Sequence, residues 1–214
     1  MTTVGILGAG KLGSTLARLS TAAGHRTLIA RSADLGELPL VLSVLAPDAI
    51  AARAEVVARE ADIAILAIPL GRHPELPVAE LAGKVVIDAM NYWPQTDGRL
   101  PEYEGGASSS LVVARTLSGS RLVKALSHLG YHELEADARP HGAVGRRGIA
   151  IAGDDADAVG SVSALVDSLG FDPVAVGGLD QGVHFGPGTS AFGVSVSAVE
   201  LSARIDEGRG APRG

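Results

Sequence analysis

Short apolar runs recur along the chain at 4–7, 26–32, 62–69, 84–88, 121–127, 149–153 and 172–176, each bounded by glycine, proline or charge. Between them, apolar residues fall at three- and four-residue spacing, the mark of helices with one buried face. The first such segment carries Leu12, Leu16, Ala17, Leu19 and Ala23, and Gly24 stops it. Further helices are predicted over 34–46, interrupted by Pro39 and closed by Pro47, and over 54–61, with a short third strand at 48–52 between them. A prolyl-interrupted helix is predicted over 73–82, and 108–117 reads as a helix with a serine cap. The run 62–69 is apolar throughout, as in strands buried on both faces of a parallel sheet. Towards the C-terminus, 155–169 reads as a helix opened by Asp155 and ended by Gly170, and 194–205 as a last helix packed through Val196, Val199 and Leu201.

Strand and helix in alternation predict an α/β fold of Rossmann type, a doubly wound and mostly parallel sheet with a small C-terminal α/β domain. The expected organisation is a dinucleotide domain over 1–128, a linker over 129–148, the small domain over 149–207 and a disordered tail over 208–214. The linker reading rests on a lapse of pattern from Tyr131 and on the basic, glycine-rich piece 139–148, which could also hold an anionic ligand tail.

The first junction carries chemistry. Gly8-Ala9-Gly10-Lys11-Leu12-Gly13 has the full G-x-G-x-x-G spacing between an apolar strand and a helix. Gly8 allows the tight turn, Gly10 lets a pyrophosphate approach the backbone, and Gly13 lets helix and strand pack closely. Phosphate then sits on the helix N-terminus. At the end of the second strand, where NAD-binding chains place an acidic residue, stand Ala30, Arg31 and Ser32. A cation and a hydroxyl suit a 2′-phosphate, so NADP is the favoured dinucleotide.

Composition narrows the partners. A net charge of -6 gives no footprint for nucleic acid, and no apolar run reaches membrane-spanning length. The chain enters a strand within a few residues of Met1, so no export signal is expected and the cytoplasm is the expected compartment. It holds no cysteine, and its six histidines show no ligand spacing, so no metal site is expected.

Ligands in open α/β sheets lie beyond the carboxyl ends of the strands, which makes Ala67, Ile68, Pro69, Leu70 and Asn91 candidate borders of the cofactor. The stretch 89–108 reads as a long binding loop holding the only Trp and two of the three Tyr, suited either to stacking on a flat ligand or to a dimer interface. His128, just past the strand 121–127, is expected on the same rim as a contact to the reacting rings. Of three lysines, Lys11 lies in the glycine turn and Lys84 at a strand start. Lys124 lies inside an apolar strand, at an edge or near the site. These residues leave open a small-carbonyl reductase using Lys124 or His128 as proton donor, and a non-catalytic NADP-sensing module.

GILGAGKLG, ALAIPL, KVVIDAMN, LVKALSHLG, IAGDD and the GFDPV segment with its following glycines occur in the order seen in another group of proteins. Over about 4–201 the chain resembles the NADPH-dependent coenzyme F-420 reductases, also called F-420H2:NADP oxidoreductases. The resemblance implies a Rossmann domain for NADP and a small C-terminal domain completing a cleft for the deazaflavin. It further implies reversible hydride transfer between rings stacked face to face in a homodimer. Gly8, Gly10, Lys11 and Leu12 match the turn around the pyrophosphate, Arg31 and Ser32 the surroundings of the 2′-phosphate, and Ala67, Ile68 and Pro69 the strand end beneath the nicotinamide. The family often has Asn or His where this chain has Ser127, followed here by His128. Contact with the deazaflavin is expected from His128 or from a backbone amide of the Gly186-Pro187-Gly188 turn.

Overall fold

The structure of the protein, a computed structural model, describes residues 1–31, 36–104 and 106–210. Strand β1 (Thr3–Leu7) leads into helix α1 (Lys11–Ala22), and β2 (Arg26–Ala30) returns parallel to β1 with Val4 opposite Thr27. The alternation continues through α2 (Leu38–Leu45), β3 (Ile50–Ala51), α3 (Ala54–Glu60), β4 (Ile63–Leu66), α4 (Val78–Leu81) and β5 (Val85–Asp88). After α5 (Pro94–Asp97) and α6 (Ser109–Thr116) come β6 (Arg121–Lys124) and α7 (Tyr131–Asp137). A second unit follows, made of β7 (Gly148–Gly153), α8 (Ala156–Ser168) and β8 (Asp172–Ala175), and α9 (Ala198–Gly210) ends the described chain.

The described strands form one sheet in the order β3-β2-β1-β4-β5-β6-β7-β8. All neighbours pair parallel except β6 and β7, which run antiparallel through Val123 opposite Gly153 and Lys124 opposite Ala152. This is the mostly parallel, Rossmann-like α/β class that the alternation predicts. The strand order reverses between β1 and β4, where such sheets open a ligand crevice at their carboxyl ends.

Apolar residues fill both faces of the sheet. On one, Leu16, Ile29, Ile65, Val123, Ile151 and Phe171 belong to a single buried cluster, so the core runs unbroken from α1 to α8. The other face buries Leu7, Leu66, Val86 and Leu122 with Tyr103 and Leu179, and a smaller cluster under α9 holds Phe185, Leu201 and Ile205. Among the described residues no helix is long and apolar enough to cross a membrane.

Several local expectations change. Pro39 does not interrupt α2 but stands in its first turn, where the missing N–H has no intrahelical partner to lose. The segment predicted as a helix at 73–82 is a 3₁₀ turn (Leu70–Glu75) followed by α4, because Pro74 and Pro77 prevent a continuous ladder. Ser108 occupies the N-cap of α6 but makes no capping bond with its hydroxyl. The stretch from Tyr131 is helical as α7, not patternless.

The basic piece 139–148 is mostly exposed up to Gly145, and it is anchored at its end by one arginine. Arg146 is buried, bonding Asp172 and Asp167 at 2.6 Å each and the Arg139 carbonyl at 2.9 Å. The last helix starts later than predicted and packs through Leu201 and Ile205, while Val199 is 82% exposed. Its end reaches Gly210, inside the expected tail, because Arg209 bonds Asp206, Gln181 and the Val176 carbonyl. Residues 211–214 lie outside the described set.

Candidate functional site

The glycine turn has the geometry its spacing demands. Gly8 has φ 125° and donates its N–H to the Ala30 carbonyl at 2.8 Å. A Cβ on Gly8 would lie 2.2 Å from the Ala67 carbonyl oxygen, and one on Gly13 would lie 1.7 Å from that of Gly8. Neither position admits a side chain. A Cβ on Gly10, by contrast, would meet nothing within 4 Å. That open space adjoins the N-terminus of α1, whose cap makes no side-chain bond and whose first turn holds no acidic residue. Unpaired N–H groups and the positive end of the helix dipole suit a phosphate there. Lys11 opens the helix with its Nζ 5.4 Å from the centre of the Tyr131 ring, and Leu12 packs against the core.

A cleft of about 450 Å³ opens beside this turn, with Leu7, Gly8, Ala30, Arg31, Ile68 and Arg72 in its walls. Arg31 is exposed and has no ion pair among the described residues, whereas Arg72 is paired with Glu75 at 2.5 Å. Ser32, expected beside Arg31, lies outside the described residues. Of the β4 end, Ile68 faces this cleft, Ala67 backs the glycine turn, and Pro69 starts the 3₁₀ turn at the surface.

A second cleft, of about 200 Å³, lies further along the rim, between the loop after β5 and the 3₁₀ turn Leu179–Phe185. Its walls include Asn91, Tyr92, Ser108, Lys124, Gly182 and Pro187. Asn91 fastens the end of β5 to that of β6, donating from Nδ2 to the Ser127 carbonyl at 2.6 Å. The loop's aromatics mostly hold the loop itself. Tyr92 packs on Tyr103 with ring centres 5.2 Å apart, and the Tyr103 hydroxyl meets His73 Nδ1 at 3.1 Å. Burial, then the charge of Glu102 and Asp88, pushes the Tyr103 phenol up to about 12. Trp93 alone among them stays 42% exposed, edge-on to Phe192 at 5.8 Å.

Lys124 sits in the wall of the second cleft, only 2% exposed. It is the last residue of β6 and stands in register with Asp88, the last residue of β5. Its Nζ lies 3.5 Å from Asp88 Oδ2 and donates to the Met90 carbonyl. Asp88 also accepts from the Ser110 hydroxyl at 2.6 Å and from the Met90 N–H at 2.9 Å. Burial pulls the Lys124 pKa down, and the neighbouring carboxylate opposes that shift.

His128 is not on the rim. The segment just past β6, in which Leu126 adopts φ 59°, is covered by the C-terminal unit, with the Gly193 N–H donating to the His128 carbonyl at 2.7 Å. His128 is fully buried there, with Nε2 accepting the Ala150 N–H at 3.1 Å and the ring edge-on to Phe185 at 6.0 Å. Burial lowers its pKa to about 4, so the ring is neutral and holds β7 rather than facing a ligand. The Gly186–Pro187 end of the expected turn does reach the second cleft. The pattern reading missed Asp88, Ser108 and Ser110. The available signal was a charged residue closing each of two adjacent apolar strands.

Residues 3–92 match the family model described as NADP oxidoreductase, coenzyme F420-dependent. A hypothetical protein from Sinorhizobium meliloti is 31% identical, with a TM-score of 0.79, over 92% of this chain and 96% of that one. A candidate F420-dependent NADP-reductase from Arthrobacter sp. FB24 shares the fold at 23% identity and TM-score 0.69, over 84% and 86% of the two chains. An imine reductase from Myxococcus stipitatus, solved with NAD+, superposes at TM-score 0.60 and 18% identity, covering 98% of this chain and 62% of its own. No curated protein matches the chain in sequence. The chain thus has a relative matched over nearly the whole of both chains, and its first strands, residues 3–92, form a domain of the NADP oxidoreductase, coenzyme F420-dependent, family.

Proposed function

We propose that the protein transfers hydride between NADP(H) and the deazaflavin coenzyme F-420, as a homodimer. The observation that carries this reading is the family match over 3–92, the segment that builds the glycine turn, the Arg31 wall and the β4 end. The free volume over Gly10 and the uncapped start of α1 fit the pyrophosphate, with Lys11 adding positive charge beside it. Unpaired among the described residues and in the wall of the larger cleft, Arg31 fits the 2′-phosphate, with Ser32 next to it in sequence. Ala67, Ile68, Pro69 and Asn91 then border the path from the adenosine end towards the second cleft. From β2 to β5 that path is roughly 14 Å, three strand spacings of about 4.8 Å.

NADP(H) supplies the hydride from its nicotinamide ring. The chain's task is to hold two flat rings in register and to keep water out, and proximity with orientation can supply about 7–11 kcal/mol of barrier lowering. No acid–base dyad is required for such a transfer, in keeping with the neutral, buried His128.

The test is to mix the purified protein with NADPH and F-420 and follow the deazaflavin absorbance. Saturable bleaching of F-420, with no NADPH oxidation by a panel of ketoacids, is the expected result. Oxidation with ketoacids alone would replace the reading by small-carbonyl reduction. NADPH binding without oxidation by any acceptor would leave a nucleotide sensor. Light scattering of the same sample, expected at twice the chain mass, checks the dimer.

A further inference from the structure

We propose that Lys124 and Ser108 form a polar anchor in the second cleft that holds the hydrogen-bond-accepting edge of the flat hydride acceptor. The inference rests on the hydride-transfer reading above and assigns part of its acceptor site.

A buried ammonium is costly unless its protons are used. Lys124 is 2% exposed, donates one proton to the Met90 carbonyl and directs a second at Asp88. Its third has no partner among the described residues, although the side chain lines an open cleft. Asp88, fully buried and tied to Ser110 and the Met90 N–H, fixes the ammonium in place and favours its charged state.

Ser108 supplies the second observation. The residue is 4% exposed and its hydroxyl has no hydrogen-bond partner, although a serine at a helix N-cap ordinarily accepts from the first turn. It lines the same cleft as Lys124. Gly182 shows that the two lie close together under the C-terminal unit. A Cβ there would stand 2.9 Å from Ser108 Oγ and 3.1 Å from Lys124 Cγ, so the 3₁₀ turn passes over both without a side chain of its own.

An ammonium and a hydroxyl side by side call for a ligand edge rich in carbonyl oxygens or ring nitrogens, and Tyr92, Val183 and Pro187 offer apolar surface to its flat body. The pyrimidinedione edge of a flavin or deazaflavin has that chemistry. About 200 Å³ suits one end of such a ring system.

The experiment titrates F-420 fluorescence against wild type, Lys124→Met, Ser108→Ala and the double variant Lys124→Met/Asp88→Asn, which leaves no unpaired buried carboxylate. NADP+ affinity is measured on each as the control for folding. Loss of F-420 affinity by roughly ten- to hundredfold in Lys124→Met and roughly fivefold in Ser108→Ala, with NADP+ affinity unchanged, is expected. Wild-type F-420 affinity in Lys124→Met and Ser108→Ala overturns the anchor. If the lysine variants also lose NADP+, Ser108→Ala decides alone, its loss sustaining the anchor and its wild-type affinity overturning it. A wild-type chain that binds no F-420 refutes the F-420 reading instead. The same variants are then titrated with FMN, which carries the same edge, and selective loss sustains the anchor while equal binding or none overturns it.

Discussion

His128 offers a quantitative check on the interior of the molecule. It is fully buried, and burial depresses its pKa from 6.5 to about 4. At neutral pH both the folded and the unfolded chain hold it mostly neutral, so it adds little to the pH dependence. Below pH 6.5 the unfolded chain binds a proton that the native state refuses, and stability falls as pH falls. The loss runs at about 1.4 kcal/mol per pH unit and levels off near pH 4, for a total of about 3 kcal/mol. His128→Gln keeps an acceptor for the Ala150 N–H and removes the titration. Urea unfolding of both proteins at steps from pH 7 to pH 4 isolates this group, because all other titrations cancel in the difference. The variant is expected to be the less stable protein at pH 7 and to lose about 3 kcal/mol less than wild type by pH 4. Parallel stability curves would refute the burial argument and return His128 to the rim.

The glycine turn separates binding from folding. Gly10→Ala should leave the melting temperature within a degree or two and weaken NADP+ binding, whereas Gly13→Ala should lower the melting temperature, because its Cβ meets the Gly8 carbonyl; thermal melts with and without NADP+ distinguish the two. Arg31→Ala should weaken NADPH binding by roughly ten- to hundredfold and NADH binding hardly at all, and equal losses by calorimetry would remove the 2′-phosphate assignment. Arg146→Met should cost about 3 kcal/mol in urea unfolding, since two aspartates and the Arg139 carbonyl lose their shared donor, while a solvated strap would cost nothing measurable.

How far the sequence reveals this protein depends on what each residue's role requires. The glycine turn was legible because its constraint is local: a hexad between an apolar strand and an amphipathic helix must bend where Gly8 and Gly13 bend, and the structure leaves no room for a Cβ at either. The parallel strands were legible for the same reason, since runs such as Ile63–Leu66 have no polar residue to turn towards water. Arg146 was not, because a basic, glycine-rich stretch looks alike whether its arginine is solvated or clamped by Asp167 and Asp172 more than twenty positions away. His128 was not legible either. Position past a strand end predicted the rim, but the C-terminal unit covers that end, setting Phe185 against the ring and the Gly193 N–H on the His128 carbonyl. Lys124 shows the converse. Inside its apolar strand it was expected either at an edge or near the site, and the register that sets Asp88 opposite it, with the Met90 carbonyl, explains how the ammonium is tolerated. Two neighbouring parallel strands of equal length, each closed by an opposite charge, place that pair at the carboxyl ends where ligands bind. The charge that strains the strand assignment is thereby the one best placed to meet an acceptor.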